Sequence, residues 1–498
     1  MGAVTIAGAL AIEAFAKENG WTEEQLLNLA GERLGRAIGR FFPRPGTIIG
    51  YLGKGHNAGD ALVALRILRD QFGWKVATRH AYPMADCAPL VQKKWAELGI
   101  RLPLDRAPTW RDFEGPLILL DGLVGSGTSG TLREPLLKLA VEMATLRRQA
   151  GARVAAVDMP SGIDSNTGLS SPDVVVADVT FMIGNAKVGL LCGHAASMTG
   201  ALGLVPVEPL TATRNTNHEL ISPQTLDCGK SPRPFDFHKG MAGRVAILAG
   251  SESYTGAAVL AATGALRSGA GLITLFVPAS THSLIASKCL PEIIVRGYHD
   301  PRELQDFRFD ALVTGCGLGE MNNSMADGLL ELISQSAIPT VIDADALNLI
   351  ARRGRTDILT ESHILTPHPG EFARLAPDLA DRSREDAARC FTDHIPSTLL
   401  LKGSRTIVTR KGEPLWCNST GTPGMATGGQ GDLLGGVIGA RLAAGDSPMD
   451  AATLSAWICG RSAEIALNER HLSEESLTPS DVLHFLGAAF RDWQSSRR

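Results

Sequence analysis

The sequence lacks the features that mark several other classes of protein. Lys and Arg number 48 against 52 Asp and Glu, so the net charge of -4 argues against a nucleic-acid binder with a broad basic face. No run free of polar residues approaches the ~20 residues of a membrane span, and the apolar residues 4–12 have no basic segment before them. The eight cysteines form no CxxC pair. We therefore expect a cytoplasmic protein without a zinc site, a membrane helix or a signal peptide.

The chain is too long for one ordinary domain of ~100–200 residues. Apolar runs that end in Gly or Asp alternate with helical patterns as far as residue 207, and a second such series starts at residue 244. In the first half this βαβ alternation predicts a parallel sheet with helices on both faces, and the second series predicts another α/β sheet. Residues 208–236 contain four prolines and no periodic pattern, which is typical of a connection. The sequence thus predicts an α/β protein with two domains, at residues 1–215 and 231–498. Residues 216–230 are predicted to be the linker between them.

Three loops of the first half follow apolar strands and carry polar residues. Ligands of open α/β sheets bind beyond the carboxyl ends of the strands, where Asn57, Asp121, Asp158 and Ser161 are expected to lie. Oxygen donors with so few charges favour a weakly bound monovalent or hard cation over zinc. Each Asp taken alone could instead cap the segment that follows it.

Residues 125–130 spell GxGxxG, the pattern of dinucleotide-binding folds. That fingerprint also needs an acidic residue at the end of the next strand, about 20 residues further on, to bind the ribose hydroxyls. Here the acid is Asp158, 28 residues after Gly130. An NAD-linked dehydrogenase is therefore an alternative with weak support from the context.

At these loops the first half resembles the YjeF-type NAD(P)H-hydrate epimerases, over roughly residues 5–215. The resemblance rests on GKGHNAGD, LLDGLVGSGTSGTLREP, VDMPSGID and GNAKVGLL. It implies a Rossmann-like doubly wound sheet and a potassium ion bound by Asn57, Asp121 and Ser161. It also implies substrate contacts from His56, Asn57, Ala58, Gly59, Asp60, Gly125, Ser126, Gly127, Thr128, Ser129, Gly130, Thr131 and Asp158.

Within that resemblance we interpret Asp158 as the catalytic proton-transfer group, with Lys187 as its partner. The alternative for Lys187 is a solvated lysine after a strand. The loop departs from the family pattern at His56, where the family has Asn, and at Ala58, where it has Gly. Ala58 is compatible with the loop only if its φ is negative.

In the second half, residues 427–432 (TGGQGD) directly precede an apolar helical pattern. Consecutive glycines at a helix start expose backbone N–H groups to an anion, and Asp432 could accept a proton from a substrate hydroxyl there. A capping role alone is the alternative. No GxxxxGK[ST] motif is present, which excludes a P-loop enzyme.

Two further loops follow strands of the second half. His368 lies between two prolines in TPHPGE, and this rigid setting favours a ligand contact over a buried turn in which the ring bonds a backbone carbonyl. Lys402 to Thr406 (KGSRT) could bind a nucleotide phosphate. Their charges could equally be solvated turn charges.

Residues 231–498 resemble the ADP-dependent NAD(P)H-hydrate dehydratases, which have a ribokinase-like α/β/α fold. The segments HKGMAGRVAILAGSESYTGAAVLAA, TGCGLGE, DADALNL, TPHPGE, LKGSRT and GMATGGQGD occur in the family order. Thr422 stands where the family usually has Asn. The resemblance implies hydrate contacts from Ala257, Gly317, Gly319, His368 and Asp432. It implies adenine-nucleotide contacts from Lys402, Gly403, Ser404, Arg405, Thr406 and Gly431.

Together the two resemblances imply a bifunctional repair enzyme for hydrated NADH and NADPH. The first domain would interconvert the R and S hydrates. The second would dehydrate the S hydrate to NAD(P)H with ADP, giving AMP and phosphate, with Asp432 as catalytic base and Mg²⁺ on the phosphates. ATP in place of ADP is left open. The expected partners are these small molecules and further copies of the chain in a homo-oligomer, with neither nucleic acid nor membrane.

Two alternatives belong to other classes. A ribokinase-like small-molecule kinase would share the GxGD chemistry but would release a stable phosphorylated product. The first domain could also be a non-catalytic nucleotide-binding module, although the presence of Asn57, Asp121, Asp158 and Ser161 together argues against it.

Overall fold

The computed structural model describes residues 2–99, 104, 106–109, 112–113, 115–125, 127, 130–211, 216–229 and 233–495. The chain divides into two compact units, Met1–Leu220 and Ile221–Arg498, and the division falls within the segment that lacks a periodic pattern. Among the described residues, none of the helices is both long and apolar enough to cross a membrane.

The first unit is a parallel sheet with helices between its strands. Its helices are α1 (Ile6–Glu18), α2 (Glu23–Phe41), α3 (His56–Phe72), α4 (Pro89–Leu98), α5 (Leu136–Ala150) and α6 (Ala196–Thr199). Its strands are β1 (Thr47–Leu52), β2 (Lys75–His80), β3 (Leu117–Gly122), β4 (Arg153–Val157), β5 (Val179–Ile183) and β6 (Ala201–Val205). All pairs are parallel in the order β2-β1-β3-β4-β5-β6. The direction of winding reverses between β1 and β3, and at such a point the loops diverge and leave a crevice.

The local sequence explains how two helices of this unit begin. Thr22 caps α2: its side chain accepts from the Gln25 N–H at 3.2 Å, and the Gln25 side chain accepts from the Thr22 N–H at 2.8 Å, which together form a capping box. α3 begins at His56 directly after β1, so Ala58 lies in its first turn. Ala58 is fully buried and is not among the residues with positive φ, as its side chain requires.

The second unit is a larger, mixed sheet. Its helices are α7 (Thr255–Arg267), α8 (His282–Ala286), α9 (Asn323–Gln335), α10 (Ala344–Arg353), α11 (Pro369–Leu375), α12 (Arg384–His394), α13 (Gln430–Ala443), α14 (Pro448–Glu469) and α15 (Pro479–Ser495). Its strands from residue 244 on are β8 (Arg244–Leu248), β9 (Leu272–Pro278), β10 (Ile294–Tyr298), β11 (Ala311–Thr314), β12 (Thr340–Ile342), β13 (His363–Leu365), β14 (Thr398–Leu401), β15 (Ile407–Thr409) and β16 (Leu415–Asn418).

These strands run in the order β10-β9-β8-β11-β12-β13-β14-β15-β16. Pairing is parallel from β10 through β14 and antiparallel between β14 and β15 and between β15 and β16. The winding reverses between β8 and β11, which predicts a second crevice there. Buried apolar side chains of α13 and α14, such as Leu433, Val437 and Ile458, pack in the core of this unit.

One strand occurs where the sequence pattern predicts none. β7 (His218–Ile221) lies within the predicted linker 216–230. Glu219, Leu220 and Ile221 are buried there. A four-residue strand is too short to show a period of its own, so the sequence pattern does not reveal its position.

Candidate active sites

Asp121, in the first unit, organises the end of β3. Its carboxylate is fully buried and accepts hydrogen bonds from the Ser161 N–H and the Ser161 hydroxyl, both at 2.7 Å, and from the Leu123 N–H at 3.2 Å. Burial raises the pKa of Asp121 to about 6, although the bonds from Ser161 oppose the shift. Because the Asp121 carboxylate joins the loops that follow two strands, it does more than cap the segment after it.

Asn57 joins the same group of residues from the first turn of α3. Its Nδ2 donates to the carbonyls of Val124 at 2.9 Å and Val157 at 3.1 Å. The Val124 N–H in turn donates to the Ser161 hydroxyl at 3.0 Å. The loops after β1, β3 and β4 therefore bring Asn57, Asp121 and Ser161 together at the crevice between β1 and β3, as predicted from their positions after strands.

Asp158 and Lys187 form a buried ion pair beside this group. The backbone of Asp158 has a φ of +66°, which a non-glycine residue adopts only under local constraint. Its Oδ1 accepts from the Lys187 ammonium and from the Ile183 N–H at 2.9 Å, and Lys187 also donates to the Ile183 carbonyl at 2.9 Å. Lys187 is only 4% exposed, so the alternative of a solvated lysine is wrong.

Asp60 adds a second carboxyl group close to this pair. Burial and the negative charge of Asp158 raise the pKa of Asp60 well above its usual range, although the positive charge of Lys187 opposes the shift. Asp60 therefore holds its proton more tightly than an ordinary carboxyl group does, and it lies near the Asp158–Lys187 pair. Two neighbouring carboxyl groups in different environments can serve as an acid and a base.

The remaining predicted substrate residues of this unit differ in whether the structure describes them and in how exposed they are. Ser126, Thr128 and Ser129 lie outside the described residues. Gly59 and Ala58 are buried, and a Cβ on Gly59 would lie 2.5 Å from the Leu27 side chain, so both could meet a ligand only through the backbone. His56 is exposed and forms a pair with Glu23. The exposed or partly exposed residues of the loop after β3 include Gly125, Gly127, Gly130 and Thr131.

In the second unit, Asp432 lies in the first turn of α13, after an N-cap glycine, Gly429, with a φ of +95°. Burial and the negative charge of Asp343 raise the pKa of Asp432 to about 6, and the Cys316 thiol and the Lys402 ammonium oppose the shift. A carboxylate with such a pKa is largely ionised at neutral pH and is still basic enough to accept a proton.

Lys402 connects the loop after β14 with the start of α13. Its ammonium donates to Asp343 at 2.8 Å, and a Cβ on Gly431 would lie 3.0 Å from the Lys402 nitrogen. Lys402 and the neighbouring Arg405 are largely enclosed by protein: Arg405 is 6% exposed, and burial lowers its pKa to about 10. The alternative of solvated turn charges is therefore wrong for both.

The predicted hydrate residues Ala257 and Gly317 meet at the crevice between β8 and β11. Gly317 has a φ of +60°, and a Cβ there would lie 2.7 Å from the Ala257 Cβ, so only glycine fits. Gly319 follows with a φ of +66°, and its N–H donates to Asp345 at 2.8 Å. The loop after β11 is thereby attached to the start of α10.

His368 is the N-cap of α11 and is half-exposed. Its ring accepts from the Gly370 N–H at 3.0 Å, and Glu371 accepts from the His368 N–H at 2.8 Å. The predicted alternative, a buried turn with the ring bonded to a carbonyl, is therefore wrong. The Lys402 N–H donates to the Pro367 carbonyl at 2.9 Å, which joins the His368 loop to the Lys402 loop.

Sequence reasoning missed the contact between Cys316 and Asp432. Cys316 is fully buried just after β11 and lies close to Asp432: burial raises the pKa of its thiol well above its usual range, and the negative charge of Asp432 adds to the shift. A cysteine within GCGLG carries no mark of such a contact in the sequence. Thr422, the departure from Asn, caps a short helical turn by accepting from the Gly424 N–H at 3.0 Å, a role that Asn also performs.

Comparison with known proteins places both halves of the chain in families. A family model of NAD(P)H-hydrate dehydratases matches residues 245–484, and one of the YjeF-related protein N-terminus matches residues 23–189. The bifunctional NAD(P)H-hydrate repair enzyme of Gloeobacter violaceus is 34% identical over 485 residues, covering 91% of this chain and 92% of that protein. The bifunctional NAD(P)H-hydrate repair enzyme of Moorella thermoacetica is 32% identical over 499 residues, covering 94% of this chain and 92% of that protein.

Among solved structures, the ADP/ATP-dependent NAD(P)H-hydrate dehydratase of Bacillus subtilis, co-crystallised with ATP and Mg²⁺, is 27% identical. The match covers 53% of this chain and 94% of the Bacillus subtilis chain, with a TM-score of 0.45. The predicted fold class is confirmed: a Rossmann-like doubly wound sheet is followed by a ribokinase-like α/β/α domain. The chain belongs to the family of bifunctional NAD(P)H-hydrate repair enzymes, which join an epimerase domain to a dehydratase domain.

Proposed function

We propose that the first unit interconverts the R and S hydrates of NADH and NADPH and that the second dehydrates the S hydrate with ADP. The observation that carries the second part is the position of Asp432. It lies at the N-terminus of α13, beside Lys402 and Gly431, with a pKa of about 6. A helix N-terminus stabilises phosphate, and a base beside it can activate a hydroxyl for attack on that phosphate.

In the proposed dehydration, Asp432 takes the proton of the hydrate hydroxyl, and the hydroxyl oxygen attacks the terminal phosphorus of ADP. The bond between that phosphorus and the bridging oxygen breaks, which releases AMP. The phosphate ester is a better leaving group than hydroxide, so elimination of phosphate with loss of a neighbouring proton restores the dihydronicotinamide. The net products are NAD(P)H, AMP and inorganic phosphate.

Lys402 to Thr406 and Gly431 are proposed to bind the adenine nucleotide, and Ala257, Gly317, Gly319 and His368 the hydrate. Among the described residues, no group of three or more His, Cys, Asp or Glu is placed to bind a metal ion. Magnesium would therefore be bound chiefly through the nucleotide phosphates, where it offsets their charge.

For the epimerase, we assign proton transfer to Asp158, with Lys187 as its ion-pair partner. Asp60, whose pKa is raised by burial and by the negative charge of Asp158, is the candidate for the complementary acid. Potassium fits the group Asn57, Asp121 and Ser161, because carboxylate, amide, hydroxyl and carbonyl oxygens are hard donors with one negative charge among them. Asp121, Asn57 and Ser161 would hold the ion and thereby anchor the substrate loops.

A reducing compartment such as the cytoplasm suits this protein, because no disulfide joins any of its eight cysteines, all of which lie among the described residues. The homo-oligomer stays a prediction, which light scattering on the purified chain tests.

The proposed function predicts complete recovery of NADPH from a mixture of both hydrate epimers with ADP, Mg²⁺ and K⁺, followed by the absorbance of the reduced nicotinamide. Both activities in one chain are needed for this result, since the dehydratase alone would stop when the S epimer is exhausted. AMP and inorganic phosphate should form in equal amounts. A stable phosphorylated product without NADPH would instead identify a small-molecule kinase.

We also predict that dehydratase turnover falls about tenfold per pH unit below pH 6. The pKa of Asp432 is raised to about 6, so the carboxylate becomes protonated, and ceases to be a base, as the pH falls through that value. The groups that face it are Cys316, Asp343, Asp345 and Lys402. Turnover at saturating S hydrate and ADP, measured from about pH 5 to about pH 8, tests this. The small residual rate of Asp432→Asn should lack the inflection, and an equal inflection in that variant would assign it to another group.

A further inference from the structure

Arg384 is an arginine in an unfavourable position for helix stability. It is the first residue of α12, whose N-cap is Ser383, and a cation at a helix N-terminus opposes the helix dipole. Burial also lowers the pKa of its guanidinium. In the part of the chain that the structure describes, no carboxylate forms an ion pair with Arg384. Its position therefore needs an explanation outside α12.

That explanation lies in the loop from Lys402 to Thr406, which connects antiparallel β14 and β15. The Nη2 of Arg384 donates to the carbonyls of Leu401 at 3.2 Å, Lys402 at 3.1 Å and Arg405 at 3.4 Å. A Cβ on Gly403 would lie 2.5 Å from the same nitrogen. The guanidinium thus occupies the inner side of the loop and binds carbonyls at both of its ends.

This arrangement fixes the direction of the loop amides. In a trans peptide the C=O and the following N–H point in opposite directions, and the cis bond found in the described chain is Glu134–Pro135, outside this loop. Because the Lys402 and Arg405 carbonyls point toward Arg384, the N–H groups of Gly403 and Thr406 point away from it. Backbone N–H groups turned to one side of a loop are a common way of binding phosphate.

We propose that Arg384 is a positioning residue for the adenine nucleotide: its guanidinium binds the loop carbonyls from behind and presents the Lys402–Thr406 loop to the nucleotide phosphates. The inference rests on the proposed nucleotide site. Arg384 touches the loop and not the reacting atoms, so it acts on nucleotide binding rather than on the chemical step. The planar guanidinium is required, since a lysine ammonium on its flexible stem cannot replace a fixed fork of donors.

The test compares Arg384→Gln and Arg384→Lys with the natural full-length chain. The matched control is Arg382→Gln, because Arg382 is exposed just before the same helix and its guanidinium contacts the Cys390 sulfur at 3.2 Å, away from the loop. For each protein we would measure the KM for ADP, the KM for the S hydrate, kcat at saturation, the melting temperature, and ADP binding by calorimetry.

We expect both Arg384 variants to raise the KM and the Kd for ADP about 10- to 100-fold, with kcat and the KM for the hydrate within about twofold of the natural chain. Arg382→Gln should match the natural chain. ADP affinity within about twofold in Arg384→Gln overturns the inference, and full affinity in Arg384→Lys overturns the positioning role. A parallel loss in kcat, both KM values and melting temperature would reduce Arg384 to a structural residue. Failure of the natural chain to bind ADP would instead reject the proposed function.

Discussion

Asp432→Asn is expected to lower dehydratase turnover by two to four orders of magnitude, about 10²- to 10⁴-fold, while the KM for the hydrate changes little. The amide has nearly the volume of the carboxyl group but cannot accept the hydroxyl proton. Lys402, Gly431 and the loop behind them are untouched, so ADP should bind with its natural affinity. Turnover is measured as NADPH formation from purified S hydrate, and ADP affinity by calorimetry.

The stability of this variant provides the control for folding. The pKa of Asp432 is raised from 3.8 to about 6 in the folded chain. The folded state therefore binds this proton more tightly than the unfolded state, and stability falls as the pH rises between those values. At neutral pH the ionised carboxylate opposes folding, and a neutral Asn removes that opposition. We expect an unchanged or higher melting temperature at pH 7, together with the loss of turnover. Near-natural turnover would remove Asp432 from the role of base.

Much of both sites could be predicted because ligands of parallel α/β sheets bind where strands end. The runs before Asn57, Asp121 and Asp158 are apolar and short, and each ends in a polar or glycine-rich segment. In such a fold this is sufficient to place these residues at one edge of the sheet. The same reasoning located the Lys402 loop, whereas Asp432 was located from the glycines that precede a helical pattern; the structure joins the two through Gly431.

What escaped prediction depends on the packing of residues that are distant in sequence. Lys187 was expected as the partner of Asp158 only within the family resemblance, since its sequence neighbours do not show that the ammonium is buried against Asp158. Arg384 lies in a charged helical pattern that is typical of a solvated face, yet its side chain fills a loop 17 or more residues further on. The partner of Cys316 lies on α13, more than a hundred residues later. None of these contacts has a local pattern, because each is created only when the sheet brings its elements together.

The loss of epimerase activity in Asp121→Ala is the second large effect that we expect. Asp121 supplies the one negative charge of the proposed potassium group and accepts three hydrogen bonds that join the loops after β3 and β4. Its removal should abolish both the conversion of R to S hydrate and the response to K⁺. Dehydration of purified S hydrate, carried by the second unit, should continue at the natural rate.

Asp121→Ala also leaves the Ser161 and Leu123 donors without their acceptor, which costs about 1–3 kcal/mol for each buried group. Asp121→Asn therefore accompanies it, because Asn retains the volume and one acceptor oxygen but loses the charge. The matched control is Asp164→Ala: Asp164 belongs to the same PSGID segment but accepts from Asn166 and Thr167 in a local turn. If Asp121→Asn retains K⁺-stimulated epimerisation, Asp121 does not supply the charge of a potassium site.

The epimerase and dehydratase activities should also differ in how K⁺ changes their pH dependence. Burial raises the pKa of Asp121 to about 6, so its carboxylate becomes protonated as the pH falls through that value, and a bound cation would oppose this shift and lower the pKa. Epimerisation at low K⁺ should therefore decline below about pH 6, and saturating K⁺ should move that decline to lower pH, whereas the decline in dehydratase turnover should be indifferent to K⁺. An epimerase profile that K⁺ does not move would show that Asp121 organises the loops without binding the ion.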